Sequence, residues 1–528
     1  MKTFVPKNHP AHLWDVRKPA AESRGGMVVT QAYDASEAGR HILDAGGNAA
    51  DAAIAAALAL AVVEPWNSSL GGIGFALVHN HDEAKAHSIH FGPVAPQKLD
   101  PSCFTLTGRP GNDLFPWPEV TGDANAHGPL SFCLPTALAG YGTMHDRWGR
   151  LPFEEVIAPA IALAKRGVAS DWFTTLMLAQ AAPVLRQYPS TAKIYLRDGL
   201  PPVPPYQGVP GFLPVTNLGT TLEQLQRKGW KDFYQGDVLQ TLLSDLKNVG
   251  SVISEAELRS YKPEIATPVS VRWGSSTIQL SSGLNAGPTL ALIFESLAAT
   301  QPQAAGSRPD GNWYQRLASA FKDGYAQRLS SFGDAEPKGQ GCTSHICATD
   351  ADGSTVSMTT TLLSSMGSRL VLEDSGVLMN NGVLWFDPRA GQANSVQGGK
   401  RPISNMCPAI VASASGRPTI TAGAAGGRRI MASVAQLMMF VHDFDMDVEE
   451  AAHWPRIDVS GPDLVSADRR LPNDVVSALA ATGDCELVDH DVLPINFARP
   501  SIIDARADGL LRGISDVYSP WSAALGQR

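Results

Sequence analysis

The feature that most constrains the fold is an alanine-rich apolar run from Ala49 to Val63, which follows Asn48 and ends shortly before Pro65. Alanine has the highest helix propensity of any residue and asparagine is a favourable N-cap, so the run predicts a helix. Its small side chains suit close packing against a sheet. Because the run contains Asp51 and is shorter than the ~20 residues that span a bilayer, we interpret it as a buried helix and expect no membrane partner.

The length and charge of the chain restrict its class. Its 528 residues exceed the ceiling of about 250–300 for one hydrophobic core, so we expect two lobes or one large layered enzyme fold. A net charge of −9 without a basic stripe argues against a nucleic-acid partner. Residues 1–16 carry prolines and polar side chains where a secretory signal needs an apolar core, which predicts a cytoplasmic location. The six cysteines form no CxxC pair, so we expect reduced thiols.

The first two thirds of the chain alternate between helical and extended patterns. Residues 25–30 predict a strand and residues 35–43 a helix. The glycine-rich segment 68–74 predicts a turn in which the backbone approaches another segment closely, followed by a strand at 75–78. Further helical patterns and a proline-rich loop follow, the helices at 151–167, 230–261 and 313–331 and the loop at 201–214.

Residues 332–341 predict a flexible linker, after which the sequence changes to strands. Residues 343–349 and 356–361 alternate polar and apolar side chains and are joined by the turn 350–353, which predicts a β-hairpin. We assign Asp350 and Asp352 to that turn. A second glycine-rich segment, 421–429, precedes a helical run at 430–442 and would present backbone N–H groups that suit negative charge.

Other constellations carry weaker signals. His79, His81, His87 and His90 form the single histidine cluster, and the polar residues among them favour a solvated hairpin turn over a metal site. The segments 398–402 and 425–429 lack the spacing of a phosphate-binding loop. We therefore expect neither a metal nor another cofactor.

Several blocks along the chain together resemble the γ-glutamyltransferase family, and they occur in the family's order. They are DAGGNAADAAIAAALALAVVEPW, SSLGGIGF, LPFEEVIAPAIALAKRG, AQRLSSFGD, CTSHICATDADGSTVSMTTTLLSSMGS, GVLMNN, GKRPISNMCPAIV and AGGRRI. The resemblance extends to about residue 430. It implies an α+β fold, the four-layered αββα sandwich of N-terminal nucleophile hydrolases.

The resemblance also implies self-cleavage before a threonine of the Thr-Thr/Ser-His motif, here Thr343-Ser344-His345. Cleavage would give a large subunit, 1–342, and a small subunit, 343–528, which remain together as a heterodimer. A dimer of such heterodimers is one open possibility. The chemistry agrees, because a threonine hydroxyl is a poor nucleophile and a freed α-amino group, with a reference pKa of about 7.7–8.0, supplies a base on the same residue.

Further site residues follow from the family pattern. Thr361 matches a threonine that hydrogen-bonds the nucleophile, and Gly426 and Gly427 match the oxyanion hole, in which backbone donors meet the charge of a tetrahedral intermediate. Ser404 matches a substrate-contacting serine, and Asn405 replaces the serine that usually follows it.

The family's contacts to a γ-glutamyl donor are mostly absent. Gly92 stands where an arginine is expected, Gly382 replaces a glutamine, Trp385 an aspartate and Leu363 an asparagine. A zwitterionic head group buried without these partners would lose several charge-assisted hydrogen bonds. The linker before Thr343 is also short for the family. These departures predict a conserved reaction on a different donor.

The leading hypothesis is an amidohydrolase for a small amide, and the oxamate amidohydrolases among the family's relatives suggest oxamate. Its carboxylate adjoins the scissile carbonyl, so its partner should lie near the nucleophile, with Arg428, Asn405 and Ser404 as candidates and Trp385 filling space. The alternatives are a γ-glutamyl hydrolase or transferase, a cephalosporin or glutaryl acylase, and an inactive, uncleaved homologue that serves as a binding scaffold.

Overall fold

Two seven-stranded antiparallel sheets face each other in the structure, a computed structural model that describes residues 16–111, 117–300, 308–332, 342–460, 464–507 and 509–528. The first sheet contains, in order across it, Ala21–Ser23, Leu511–Ser515, Arg499–Asp504, Pro418–Ala425, Ala409–Ala412, Ser276–Leu280 and Val269–Trp273. The second contains Ala523–Gly526, Met27–Thr30, Cys342–Thr349, Thr355–Leu363, Ile73–Asn80, Lys85–Phe91 and Glu264–Ala266.

Helices pack on the outer face of each sheet, so the layers run helix, sheet, sheet, helix, and the predicted α+β sandwich is confirmed. The helices that share a core with the second sheet are Tyr33–Asp44, Ala49–Val63, Ala137–Trp148, Phe153–Val156, Ala158–Arg166, Trp172–Leu185, Pro189–Tyr195, Asn217–Lys228, Asp232–Gln235, Asp237–Asn248 and Glu255–Ser260. Those that share a core with the first sheet are Gly287–Thr300, Gly311–Phe332, Ile430–His442, Val448–His453 and Asn473–Ala480.

The predicted alanine-rich helix is confirmed, and it begins and ends at the predicted residues. All side chains of Ala49–Val63 are buried. Asn48 caps the helix by accepting hydrogen bonds from the backbone N–H groups of Ala50 and Asp51, and the Asp51 carboxylate accepts in return from the Asn48 N–H at 3.1 Å. Such a reciprocal pair satisfies donors that would otherwise be buried without partners.

Small side chains let the two sheets approach each other next to the predicted hairpin. A Cβ atom on Gly423 would lie 2.0 Å from the His345 ring, so the strand Pro418–Ala425 passes directly over that ring. The Ser357 hydroxyl donates to the Ala422 carbonyl at 2.8 Å, and the hydroxyls of Thr355 and Thr421 lie 2.7 Å apart. The hairpin is therefore held at the centre of the sandwich.

The structure corrects two local predictions. The pattern at 151–167 forms two helices, Phe153–Val156 and Ala158–Arg166, because Pro159 lacks the N–H that a continuous helix would use. The turn between Ile73–Asn80 and Lys85–Phe91 is exposed, as predicted, but three of the four histidines are buried on the flanking strands, namely His79, His87 and His90.

Other strands form small peripheral sheets. They are Ile457–Asp458 with Leu464–Asp468 and Asp484–Val488, Leu106–Pro110 with Pro118–Val120, and Val168–Ala169 with Phe212–Leu213, the last of which lies within the predicted loop 201–214. Residues 333–341 of the predicted linker, and residues 1–15 from which the location was inferred, lie outside the described residues. No helix in the described part of the chain is long and apolar enough to cross a membrane. All six cysteines are free thiols.

Candidate active site

Thr343 lies at the start of the strand Cys342–Thr349, where the ladder is irregular. Cys342 pairs with Leu363 and Ser344 with Thr360 on the neighbouring strand, and a bulge falls between these two pairs. Thr343 therefore lies outside the regular pairing, with its side chain buried. Bulges redirect a side chain relative to the ladder, and they occur often beside active sites.

The Thr361 hydroxyl connects Thr343 to the peptide bond that precedes it. Thr343 Oγ1 donates to Thr361 Oγ1 at 3.2 Å, and Thr361 Oγ1 donates to the carbonyl oxygen of Cys342 at 2.6 Å. The backbone N–H of Leu363 donates to Thr361 Oγ1 at 2.8 Å and so fixes its orientation. The predicted pairing of Thr361 with Thr343 is thus present, and Thr361 also polarises the carbonyl at which cleavage is predicted.

Leu363 has an unusual backbone conformation next to these threonines. Its φ is +89°, in a region that non-glycine residues adopt rarely. The side chain is buried in an apolar cluster, which offsets the cost of this conformation. Such strain concentrates at functional sites, because the surrounding structure must hold it in place.

Gly426 and Gly427 form the turn between the strand Pro418–Ala425 and the helix Ile430–His442. Their φ values are +143° and +61°, both in the left-handed region that favours glycine. A Cβ atom on Gly426 would also lie 2.7 Å from the Cα of Ala498. The turn leads through the 3₁₀ segment Gly427–Arg429 into the helix, so its backbone lies at the positive end of the helix dipole.

Thr343 and Gly426 of the glycine turn share one cavity. It is lined by Asn67, Met177, Cys342, Thr343, Ala425, Gly426, Arg429, Ile495, Phe497 and Arg499. Thr343 and Gly426 both line it, whereas Gly427 is not among its described lining residues. This combination suits attack on an acyl group with stabilisation of the resulting oxyanion.

Two titratable groups are buried close to Thr343. Glu64 accepts hydrogen bonds from the Ser344 hydroxyl at 3.0 Å and the Asn67 amide at 3.1 Å, and its burial raises the pKa of its carboxyl. Burial lowers the pKa of His345 to about 3, so this imidazole is neutral at physiological pH. His345 Nδ1 lies 2.9 Å from the Thr359 hydroxyl, and we assign His345 to the packing between the sheets.

The predicted substrate contacts have varied surroundings. Arg328 holds the turn at 404–405 by donating to the Ser404 carbonyl at 2.7 Å and to Asn405 Oδ1 at 3.0 Å. Arg428 is buried and donates to the Ser460 carbonyl at 3.4 Å. The described residues that line the cavity do not include Ser404, Asn405, Arg428 or Trp385. Their contact with a substrate stays a prediction.

The positions of the missing glutamyl contacts are filled by apolar packing. Leu363 and Trp385 belong to one buried cluster, whose other members are Ile73, Phe75, Trp117, Ala126, Leu384 and Met406. A Cβ atom on Gly382 would lie 2.8 Å from Cys133, and one on Gly92 would lie 2.6 Å from the Phe75 ring. A longer side chain at either glycine would therefore require its neighbours to move.

Sequence reasoning missed three polar residues at the site. Arg429 and Arg499 line the cavity, and Gln31 accepts a hydrogen bond from the His345 N–H. Arg429 immediately follows the predicted Arg428 and could have been found from the glycine turn. Arg499 and Gln31 reach the site through strand pairing over long sequence distances, which leaves no local signal.

In the described ranges no group of three or more His, Cys, Asp or Glu side chains is arranged to hold a metal ion. The site instead consists of a strand-borne threonine between two sheets, a hydroxyl partner and a glycine turn at a helix N-terminus. This arrangement defines the N-terminal nucleophile class of hydrolases, whose fold the chain shares.

Comparisons with known proteins agree with this class. The family model described as Gamma-glutamyltranspeptidase matches residues 35–339 and 335–525. The chain is 27% identical to the glutathione hydrolase proenzyme of Escherichia coli (strain K12), over 96% of this chain and 92% of that protein. It is 28% identical to the acylase ACY 1 proenzyme of Pseudomonas sp. (strain SE83), over 92% and 91%.

A solved structure shows the same fold. The cephalosporin acylase from Bacillus halodurans superposes with a TM-score of 0.83 at 22% identity, over 99% of this chain and 100% of that one. The chain belongs to the γ-glutamyltranspeptidase family.

Proposed function

We propose that the protein is an autoprocessing threonine amidohydrolase that acts on a small linear amide, with oxamate as the best candidate. The observation that carries the reaction type is the hydrogen-bonded series from Thr343 Oγ1 through Thr361 Oγ1 to the Cys342 carbonyl. The names of the relatives, which are proenzymes of a glutathione hydrolase and an acylase, support processing and amide chemistry.

Self-cleavage would begin with attack of Thr343 Oγ1 on the carbonyl carbon of Cys342. Negative charge develops on the carbonyl oxygen, to which the Thr361 hydroxyl already donates at 2.6 Å. The proton of the Thr343 hydroxyl passes to the departing nitrogen as the C–N bond breaks, which leaves an ester between Cys342 and the Thr343 side chain and frees the Thr343 amine. Water then hydrolyses that ester and separates residues 1–342 from residues 343–528.

The freed amine is the base for turnover. It takes the proton of the Thr343 hydroxyl as the oxygen attacks the amide carbonyl, and it returns that proton to the departing ammonia. The acyl ester on Thr343 is then hydrolysed by water. For oxamate the balance is one oxamate and one water giving oxalate and ammonium. The Gly426 and Gly427 backbone would stabilise the oxyanion that forms when Thr343 attacks the amide and the one that forms when water attacks the ester.

The apolar cluster around Leu363 and Trp385 is the observation that favours a donor other than γ-glutamate. The resemblance assigns the amine and carboxylate contacts of a glutamyl group to these positions and to Gly92 and Gly382. Here they offer no charged side chain, and the buried indole of Trp385 occupies space. An ionised head group without partners in such surroundings costs several kcal/mol.

The names of the relatives support two alternative functions. A γ-glutamyl hydrolase or transferase would need replacement contacts for the glutamyl head. An acylase would take a longer side chain. The inactive scaffold is the third alternative, and it requires that the chain stay uncut. The heterodimer of 1–342 and 343–528, its further dimerisation and a cytoplasmic location are part of the same proposal.

Steady-state kinetics on the processed protein test the substrate. We expect ammonia release from oxamate and poor turnover of glutathione and γ-glutamyl anilides. A kcat/KM for a γ-glutamyl donor about tenfold or more above that for oxamate, a difference of ~1.4 kcal/mol, would contradict the assignment of the donor. Thr343→Ala, which should stay uncut, is the control for contaminating activity.

A further inference from the structure

Arg499 is placed beside the oxyanion turn by strand pairing. It begins the strand Arg499–Asp504, and its register partner is Ala425, the residue before Gly426. Its side chain lines the cavity that contains Thr343. A group bound by Arg499 would therefore lie close to the carbonyl under attack.

Gln31 ties the Arg499 backbone to the strand of the nucleophile. Gln31 Nε2 donates to the Arg499 carbonyl at 3.2 Å, and Gln31 Oε1 accepts from the N–H of His345, two residues after Thr343. The Gln31 side chain is buried. One amide thus fixes the distance between Arg499 and the nucleophile.

The Arg499 guanidinium has no hydrogen-bond or ion-pair partner among the described residues. It lies instead near two aromatic rings, 5.8 Å from the centroid of Phe173 and 5.2 Å from that of Trp521. Glu64 and Asp516 act on it only at longer range, and burial lowers the pKa of Arg499 below its usual value. Its charge is therefore only partly compensated by the described residues.

Arg429, the other arginine of the cavity, differs in this respect. It donates to the Ile495 carbonyl at 3.4 Å and lies 3.7 Å from the Asp458 carboxylate. No acidic side chain appears among the described residues that line the cavity. A guanidinium carries five donors in a planar fork that matches a carboxylate, and such pairs gain strength away from water.

We propose that Arg499 binds the carboxylate of the acyl donor, and that the site takes monoamides of short dicarboxylic acids. The inference rests on the proposed amidohydrolase function and adds the residue that recognises the substrate. The closeness of Arg499 to the glycine turn limits the separation between the carboxylate and the scissile carbonyl.

The test compares Arg499→Gln and Arg499→Lys with Arg401→Gln. Arg401 is the matched control, because it lines a separate cavity of about 440 Å³ together with Gly92. Its substitution by glutamine removes one positive charge, as Arg499→Gln does. Each processed protein is titrated with oxalate, malonate and glutarate by calorimetry, and its turnover of oxamate is compared with that of the neutral diamide oxamide.

We expect Arg499→Gln to weaken binding of the preferred dicarboxylate by about 10- to 100-fold and to lower kcat/KM for oxamate similarly, with oxamide changed by less than about threefold. Arg499→Lys should fall between, since it keeps the charge and loses the fork. Arg401→Gln should resemble the wild type. If Arg499→Gln does not fold, a loss of binding in Arg499→Lys supports the proposal and unchanged binding overturns it.

Two results would overturn the proposal: wild-type protein that binds none of the three dicarboxylates, or Arg499→Gln that binds them as tightly as wild type. Failure of the proposed function is separate. Arg499-dependent dicarboxylate binding without oxamate turnover would leave the carboxylate site in place and refute the substrate. Oxamate turnover that is unchanged in Arg499→Gln would leave oxamate as the substrate and refute the role of Arg499.

Discussion

Thr361→Val removes one hydroxyl from the site with little change in shape. The structure gives that hydroxyl three hydrogen bonds, to the Cys342 carbonyl at 2.6 Å, from Thr343 Oγ1 at 3.2 Å and from the Leu363 N–H at 2.8 Å. The first acts on the oxygen that becomes negatively charged during cleavage. The variant should therefore fold as the wild type does, but it should cleave itself much more slowly.

The size of the effect follows from these contacts. Loss of one donor to a developing oxyanion costs about 3–4 kcal/mol, or 10²–10³ in rate. The Leu363 N–H would also lose its acceptor, and an unsatisfied buried donor lowers the free energy of unfolding by about 1–3 kcal/mol. Freshly translated protein, sampled over time on a denaturing gel, gives the cleavage rate directly.

Thr361→Ser is the matched control, since it keeps the hydroxyl and removes one methyl group. We expect it to cleave at a rate within about tenfold of wild type, a difference of ~1.4 kcal/mol. Thermal unfolding of both uncut variants separates instability from slow chemistry. Cleavage of folded Thr361→Val at the wild-type rate would refute the role given to this hydroxyl.

Two further variants test the oxyanion turn and the buried acid. Gly427→Ala places a Cβ on a residue with φ +61° and should therefore displace the backbone donors of the turn. It should raise the activation free energy of turnover by up to about 3–4 kcal/mol, and so lower kcat, with little change in KM, because oxyanion donors act mainly in the transition state; unchanged kcat in a folded variant would exclude Gly427 from the hole. Burial raises the pKa of Glu64, so the folded wild-type chain favours the protonated carboxyl and loses stability as the pH rises above 4.5. The free energy of unfolding of Glu64→Gln, which carries no ionisable group there, should therefore increase relative to that of wild type over the same pH range. Denaturant unfolding at several pH values measures this, and a pH-independent difference between variant and wild type would contradict it.

Much of the fold could be predicted because local patterns dominate it. The helix Ala49–Val63 follows from alanine content and an asparagine cap, and the hairpin around Asp350 follows from alternation and a turn. The helix Ile430–His442 begins and ends where the sequence predicts. These elements agree because propensity, capping and burial favour the same structure in each.

The rest depended on contacts that local patterns do not encode. His79, His87 and His90 are buried because the strands that carry them lie inside a sheet, although the turn between them is polar. Arg499 reaches the cavity that contains Thr343 through its pairing with Ala425, which is distant in sequence. The family resemblance predicted roles for Thr343, Thr361 and the glycine turn, but the surroundings of Arg499 follow from strand pairing, which no local pattern shows.

The identity of the new amino terminus tests the central claim most directly. Wild-type protein should separate on a denaturing gel into two fragments, and amino-terminal sequencing of the smaller one should begin Thr-Ser-His-Ile, from Thr343. Only this cut gives the threonine a free amine to act as its own base. An active protein whose smaller fragment begins at another residue, or one that remains uncut, would contradict the account.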